Sequence, residues 1–342
     1  MRVRLRDVAD RAGVSVKTVS NVVNGYTHVS PEMRERVQAV LDETGYRPNL
    51  AARNLRAGRT GVIALALPEL DNPYFAELTR SVVEAAEEHN LTVLVDQTDG
   101  LREREVAATA GFRHNLIDGL IMSPVSLGAD DLDRRDPTAL PLVLLGEKAG
   151  DWTADHVAID NVAAARQATT HLLELGRVRV AALGHQPASS RESGVAHLRR
   201  QGWDDALRAA GIGPDPAWVA EVPSFGREHG AAAMAALLDG PAAADAVFCF
   251  NDTLALGAIH TLAQRGLRVP EDVAVIGIDN IEDGRYSVPT LSTIAPAKDE
   301  IGRAAVRMLV ERLEPGGEEP APRDLRAGFE LVARESTLGR RR

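Results

Sequence analysis

The chain has 342 residues, beyond the size at which a single hydrophobic core usually stops growing, so more than one folding unit is expected. Its 44% hydrophobic and 26% charged residues are globular proportions, no stretch reaches the ~18 apolar residues of a membrane span, and its only cysteine, Cys249, excludes an intrachain disulfide or a multi-cysteine metal site. The net charge of −10 hides an asymmetry: residues 1–60 carry 11 Lys/Arg against 6 Asp/Glu, a net of +5, so the remainder carries −15 and would repel phosphate, and any nucleic-acid contact must come from the first sixty residues.

The N-terminus, Met1 to Val8, is basic and then polar, with no apolar core of an export signal, so the expected location is cytoplasmic. A first helix is predicted over about Leu5 to Ala12 and is broken by Gly13. Ser15 is a good N-cap for a second, about Val16 to Asn24, which Gly25 ends. A third opens with Ser30 as cap and Pro31 in its first position, buries Met33, Val37, Val40 and Leu41, and stops at Gly45. Asn49 to Arg56 reads as a fourth helix of only about two turns, marginal in isolation, and residues 57–61 read as a linker.

From Val62 the texture changes to apolar strand-like runs alternating with amphipathic stretches, the pattern of a parallel α/β sheet. Strands are predicted at Val62–Leu67, Thr92–Val95, Gly119–Met122, Leu142–Leu145, Val178–Leu183, Val219–Val222, Ala246–Phe250 and Val273–Ile278. Eight such runs exceed one small sheet, so they divide into two doubly wound lobes with a break near Asp160-Asn161. A segment from about Thr290 to Pro315 is expected to recross to the first lobe. Cys249, inside an apolar run, reads as a buried structural thiol, Glu314–Pro322 as an exposed loop, and Arg340-Arg341-Arg342 as a solvated tail.

Residues 7–25 have the form of a helix-turn-helix. Val8, Ala9, Ala12, Val14, Val19 and Val23 supply a small core across two helices, and Gly13 turns the chain between them. Val16, Lys17, Ser20 and Asn21 then project from the end of the second helix that would enter a major groove. Lys17 can donate to guanine O6 and N7, Asn21 can pair with adenine, and Val16 can touch a thymine methyl. From pattern alone, a three-helix bundle with an inert surface fits as well.

Leu5-Arg6-Asp7-Val8-Ala9, Ala12-Gly13-Val14-Ser15, Thr18-Val19-Ser20, Val22-Val23-Asn24 and Gly45-Tyr46-Arg47-Pro48-Asn49, with Ala51-Ala52 and Leu55, closely resemble the lactose-repressor (LacI/GalR) family of bacterial regulators, over essentially the whole chain. The resemblance implies a DNA-binding set of Ser15, Val16, Lys17, Thr18, Ser20, Asn21, Asn24, Tyr46, Arg47, Asn49, Ala52, Arg53 and Leu55. It makes the fourth helix a hinge that orders on the operator, with Leu55 wedged into the minor groove at a central base step, where unstacking costs a few kcal/mol. Without the resemblance, Leu50 and Leu55 would read as packing between domains. Arg47, Asn49, Arg53 and Arg59 are the expected phosphate contacts.

The implied architecture is α/β. An all-α helix-turn-helix domain (1–48) and a hinge helix with linker (49–60) precede a periplasmic-binding-protein-like bilobed core of two doubly wound parallel sheets. The lobes are expected at 61–160 with about 290–320 and at 161–289 with about 321–335. Such lobes form a cleft at the carboxyl ends of their strands. Loop residues at predicted strand ends include Asn72, Tyr74 and Phe75, then Glu147, Asn251 and Asp279. The resemblance places Arg199, Asn251 and Asp279 on ligand-contacting positions and Phe225 on an aromatic wall, a set suited to the vicinal hydroxyls of a sugar. Read singly, Asp252 can cap the helix that follows it, Asn251 or Asp279 can satisfy loop amides, and Arg199 can be a surface salt-bridge residue.

The expected protein is therefore a homodimeric repressor that reads a pseudo-palindromic operator and is released by a small-molecule effector, a mono- or oligosaccharide, with no cofactor and no metal. The same fold with a purine-like or phosphorylated corepressor, and a non-regulatory sugar-binding protein, stay open as alternatives. No enzymatic activity is expected: no Gly-x-Ser-x-Gly, P-loop or His-Glu-x-x-His is present. Ligand identity, operator sequence, regulated genes and dimer versus tetramer are not legible, and Ser189-Ser190-Arg191-Glu192 fills a stretch that departs from the common family pattern.

Overall fold

The computed structural model describes residues 3–23, 26, 28–46, 59–110, 116–136, 139–147, 153–186, 194–241, 243–314 and 321–339. The chain divides into two compact units, Met1–Gly61 and Val62–Arg342.

In the first unit the described helices are α1 (Leu5–Ala12), α2 (Val16–Val23) and α3 (Pro31–Thr44). The capping signals act as the residue types dictate. Gly13 takes the left-handed conformation (φ 65°) that lets the chain leave α1 without a side-chain clash. Ser15 Oγ accepts from the Thr18 amide at 3.0 Å, and Ser30 Oγ accepts from the Met33 amide at 3.3 Å. The core is Val8, Ala9, Ala12, Val19, Val22, Val37 and Leu41. This differs in detail from the expected core. Val14, Val23, Met33 and Val40 are only half-buried, and Val22, one turn after Val19, takes the inward position expected of Val23.

In the second unit twelve strands, among the described residues, form two six-stranded sheets. The first contains β1 (Val62–Leu67), β2 (Thr92–Gln97), β3 (Gly119–Met122), β4 (Leu142–Leu145) and β5 (Asp155–Ala158), with α4 (Pro73–Glu88), α5 (Arg102–Thr109) and α6 (Ala129–Asp133) between them. After α7 (Asn161–Glu174) the second contains β6 (Val180–His185), β7 (Val219–Glu221), β8 (Ala246–Cys249), β9 (Ala274–Ile278) and β10 (Ser292–Pro296). Its connecting helices are α8 (Val195–Ala209), α9 (Arg227–Asp239), α10 (Asp252–Gln264) and α11 (Glu282–Tyr286). The central strands are apolar and buried on both faces, as parallel strands covered by helices must be.

The return segment behaves differently from expectation. Ser292–Pro296 stays in the second sheet, parallel to β9, and only then does α12 (Lys298–Leu313) pack back on the first sheet. Residues 321–335 also split. β11 (Asp324–Arg326) pairs with β5 in the first sheet, and β12 (Phe329–Val332) lies antiparallel to β10 in the second. The chain therefore crosses between the sheets at three places, after β5, after β10 and between β11 and β12. Strands β5, β10, β11 and β12 were not expected, because none is a continuous apolar run. β5 opens with the buried pair Asp155 and His156. Asp155 is neutralised from outside its own strand by Arg312 at 2.7 Å and Arg323 at 2.9 Å, a partnership that local hydropathy cannot show.

The strand orders are 11-5-4-3-1-2 and 12-10-9-8-6-7. Each reverses at one point, between β1 and β3 in one sheet and between β6 and β8 in the other, and ligand crevices form outside the carboxyl ends of strands at such reversals.

Candidate DNA-facing helix and ligand cavity

The start of α2 combines one local requirement with one open face. Ser15 is committed to the cap, its hydroxyl also pairing with Thr18 Oγ1 at 2.8 Å, so these two side chains order the first turn. Val16 is 42% exposed and Lys17 is exposed beside it, while Ser20 and Asn21 are half-buried one turn on. An exposed valine next to an exposed lysine on a capped helix end offers a methyl surface and a cationic donor together, the combination a thymine–guanine step can use. Tyr46 is half-buried against the three-helix core, and its amide donates to Leu41 O at 3.2 Å, closing α3. Asn24, Arg47, Asn49, Ala52, Arg53 and Leu55 lie outside the described residues, as does the expected hinge helix apart from residues 59 and 60.

In the second unit a cavity of about 460 Å³ opens at the carboxyl ends of both sheets. It brings together Asn72, Tyr74 and Phe75 from the start of α4, Glu147 after β4, Arg199 from α8, Phe225 before α9, Asn251 after β8 and Asp279 after β9. All eight residues expected from sequence line this one space. Phe75, Leu78, Phe225 and Ile301 supply apolar wall, and Tyr74 meets Phe75 edge-on with ring centroids 5.3 Å apart.

At its polar end stands Arg199, only 7% exposed and not the surface residue its type alone would suggest. Its Nε donates to Asn161 Oδ1 at 2.7 Å, one terminal nitrogen donates to the Phe250 carbonyl, and the other lies 3.9 Å from Asp279 Oδ1. Asn161 in turn donates to Glu147. One amide thus links a cation and a carboxylate from different elements. Burial raises Glu147 to about 7 despite the opposing pull of Arg199, Arg326 and the Asn161 bond. Burial likewise raises Asp279 to about 6, with Arg199 and Lys298 restraining it. The Tyr74 hydroxyl is raised by burial and by the Asp279 charge, so it stays a protonated donor.

Asn251, not Asp252, caps α10: its Oδ1 accepts from the Leu254 amide at 2.9 Å. Its amide hydrogens go to Thr253 Oγ1 at 2.7 Å and Phe225 O at 3.2 Å, which ties the aromatic wall to the end of β8. Asp252, expected as the cap, is buried and accepts from Thr293 Oγ1 at 2.7 Å and the Ile281 amide at 3.1 Å. It fastens β8 to β10 and the loop after β9. Asn72 similarly caps α4, accepting from the Tyr74 amide at 3.1 Å.

Sequence reasoning missed Asn161, which had served only to mark the lobe break, and the loop Ser123 to Leu127, which lines the cavity after β3. The loop carried a usable signal, since β3 had been expected and borders β1 at the strand-order reversal. The bridge made by Asn161 depends on groups 14 and 38 residues away and leaves no local pattern. Among the described residues there is no group of three or more His, Cys, Asp or Glu able to hold a metal ion, and no helix long and apolar enough to cross a membrane.

Two family models match the chain. Residues 4–49 match "Bacterial regulatory proteins, lacI family", and residues 169–337 match "Periplasmic binding protein-like domain". The HTH-type transcriptional repressor CytR of Escherichia coli (strain K12) is 33% identical over 333 residues, 97% of this chain and 96% of that protein. Among solved structures, the transcriptional regulator CelR–cellobiose complex superposes with a TM-score of 0.70 at 33% identity, covering 98% of this chain and 100% of that one. The lac repressor dimer bound to operator and the anti-inducer ONPF superposes with a TM-score of 0.81 at 27% identity, covering 99% and 100%.

Proposed function

Because the chain belongs to the lacI family of bacterial regulatory proteins, we propose that it is an inducible repressor, a homodimer on a pseudo-palindromic operator whose grip is weakened when a sugar fills the cavity of the second unit. It is a DNA-binding transcriptional repressor with a small-molecule effector. The finer roles are our reading. Residues 1–48 read DNA, 49–60 act as the hinge, and two lobes, 61–160 and 161–289 completed by the crossing segments, hold the effector. Lys17 and Asn21 read base edges, with Val16 against a methyl. Arg199, Glu147 and Asp279 orient the ligand, and Phe225 covers its apolar face. It works in the cytoplasm, where the operator is, and by binding alone, with no catalytic step.

The observation that carries this reading is the convergence of eight residues from six separate segments on one cavity of about 460 Å³, within the range of small-molecule sites. The cellobiose held by the CelR relative supports a sugar as the ligand class. Closure of two lobes around a ligand changes the positions of the elements that join them. Couplings of about 1–3 kcal/mol would alter operator affinity roughly 5- to 150-fold.

The test is a titration of full-length protein on duplex DNA from its own promoter region, with and without a panel of mono- and disaccharides. Weakened DNA binding on sugar addition supports induction. Strengthened binding overturns it in favour of a corepressor.

A further inference from the structure

We propose that Glu77 and Lys298 form a clasp in which the helices of the first sheet grip the loop after β9 of the second and hold Asp279 in its cavity-facing orientation. Neither residue lines the cavity; both are positioning residues for a carboxylate that does. This rests on the reading of the cavity as the effector site and goes beyond it by assigning the device that sets one of its contacts.

The two gripping residues belong to one body. Glu77 lies on α4 and Lys298 opens α12, and both helices cover the first sheet and pack on each other. Ser81 of α4 ties them further, donating to Asp299 Oδ1 of α12 at 2.7 Å. What they hold belongs to the other sheet. Lys298 Nζ donates to the carbonyls of Asp279 at 2.6 Å and Asn280 at 3.2 Å, and it also donates to Glu77 Oε2. An ammonium has three hydrogens, and all three are placed. The other oxygen of Glu77, Oε1, accepts from the amide of Glu282, the first residue of α11, at 2.9 Å. One ion pair of the first sheet's helices therefore makes three bonds to the backbone of residues 279–282. Lys298 Nζ also stands 5.9 Å from the ring centroid of Tyr74, a cavity-lining residue.

The loop needs such a hold. Asp279 has φ 123° and Asn280 φ 50°, conformations that a residue with a β-carbon seldom adopts and that persist only where the surroundings fix them. Its own sheet supplies part of the restraint. The amide of Asp279 donates to Ile294 O at 2.9 Å, that of Asn280 to Thr293 Oγ1 at 3.2 Å and that of Ile281 to Asp252 Oδ2 at 3.1 Å, while Arg334 holds Asn280 Oδ1 at 2.6 Å. Those bonds fix amides and one side chain. The carbonyls of Asp279 and Asn280 are fixed from the other sheet's helices, by Lys298.

If the two bodies separate, the three cross-sheet bonds are lost together, and Asp279 is freed to leave its dihedral angle and turn its carboxylate away from Arg199, now 3.9 Å off. A ligand that bonds Asp279 in its present orientation thus favours the clasped arrangement, and by linkage the clasp favours that ligand equally.

The test has two arms, both on the full-length protein. Without ligand, hydrogen exchange read by mass spectrometry on peptides covering residues 279–286 should quicken about 10-fold in Lys298→Met, with β1 and β8 unchanged. With ligand, calorimetric titration of cellobiose, D-ribose and D-glucose forms a double-mutant cycle on whichever sugar binds. Lys298→Met and Asp279→Asn should each weaken binding about 10-fold, and the double variant should be within about 2-fold of Asp279→Asn alone, because Lys298 acts through Asp279. A general loss of packing would instead multiply the two losses, to about 100-fold. Should Lys298→Met fold poorly, Glu77→Gln/Lys298→Met, which removes both charges, takes its place.

Unchanged exchange at residues 279–286, unchanged affinity in Lys298→Met, or multiplied losses in the double variant overturn the proposal. If Asp279→Asn weakens binding and Lys298→Met does not, the cavity reading stands and only the clasp falls. If Asp279→Asn itself leaves affinity unchanged, the cavity reading falls and the proposal falls with it. Should all three sugars be silent, the sugar reading loses its support and the exchange arm decides the clasp by itself.

Discussion

Replacing Asn161 by alanine should expose how the polar end of the cavity is held. The carboxamide, itself buried, accepts from the buried Arg199 Nε at 2.7 Å and donates to Oε1 of the half-buried Glu147. Hydrogen bonds to charged groups contribute about 1.5–3 kcal/mol each. Partial re-solvation of the emptied site offsets some of that, so a net loss of about 3 kcal/mol is expected for Asn161→Ala at neutral pH. For a unit of this size, that corresponds to a fall in Tm of roughly 6–10 °C.

The loss should depend on pH, with a definite sign. Glu147 is raised to about 7 in the folded protein, against an ordinary value near 4.3 unfolded. The folded state therefore binds this proton more readily, and stability falls as pH rises between those two values. The Asn161 bond is one of the restraints on Glu147, so without it the carboxyl rises above 7 and the destabilising window extends upward. At about pH 5.5 the carboxyl is protonated with or without Asn161, and its share of the loss is small; at about pH 8 the full share appears, about 1.4 kcal/mol for each unit of additional rise. Thermal unfolding of both proteins at the two pH values is the assay. A Tm loss below ~2 °C would mean that Arg199 and Glu147 close directly on each other, and equal losses at both pH values would remove Glu147 from the account.

Asp155→Asn should cost about 3 kcal/mol of the second unit's stability at pH 7, read from urea midpoints. Burial opposes ionisation of Asp155, but bonds from Arg312 and Arg323 win and hold it at about 2, and the substitution leaves Arg312 buried without its counter-charge. Gly184→Ala should be at least as damaging: Gly184 has φ 132°, and a Cβ there would stand 2.5 Å from Phe250 Cβ, next to the carbonyl that holds Arg199. A soluble yield and Tm equal to the parent would contradict that packing. Lys17→Ala should weaken operator binding by about 10-fold or more and flatten its salt dependence, while calorimetric affinity for the effector stays the same. An unchanged gel-shift constant would remove Lys17 from the reading face.

What the sequence made legible divides along a physical line. Helix ends in the first unit could be read because a cap is a local device: Ser15 and Ser30 act on amides three residues away, and Gly13 on its own dihedral angle. The central strands could be read because burial on both faces demands uninterrupted apolar residues, as in Val62–Leu67 and Leu142–Leu145. Edge and crossing strands obey neither rule. β5 contains an aspartate and a histidine because their hydrogen-bond partners arrive from residues 312, 323 and 324, and a hydropathy window sees only the polar side chains. The same distinction runs through the cavity. Strand-end loops told which segments could converge, and the resemblance supplied Arg199 and Phe225. What each polar group has left to offer a ligand is decided by bonds such as Arg199 to Phe250 O and Asn251 to Phe225 O, which join residues 51 and 26 positions apart.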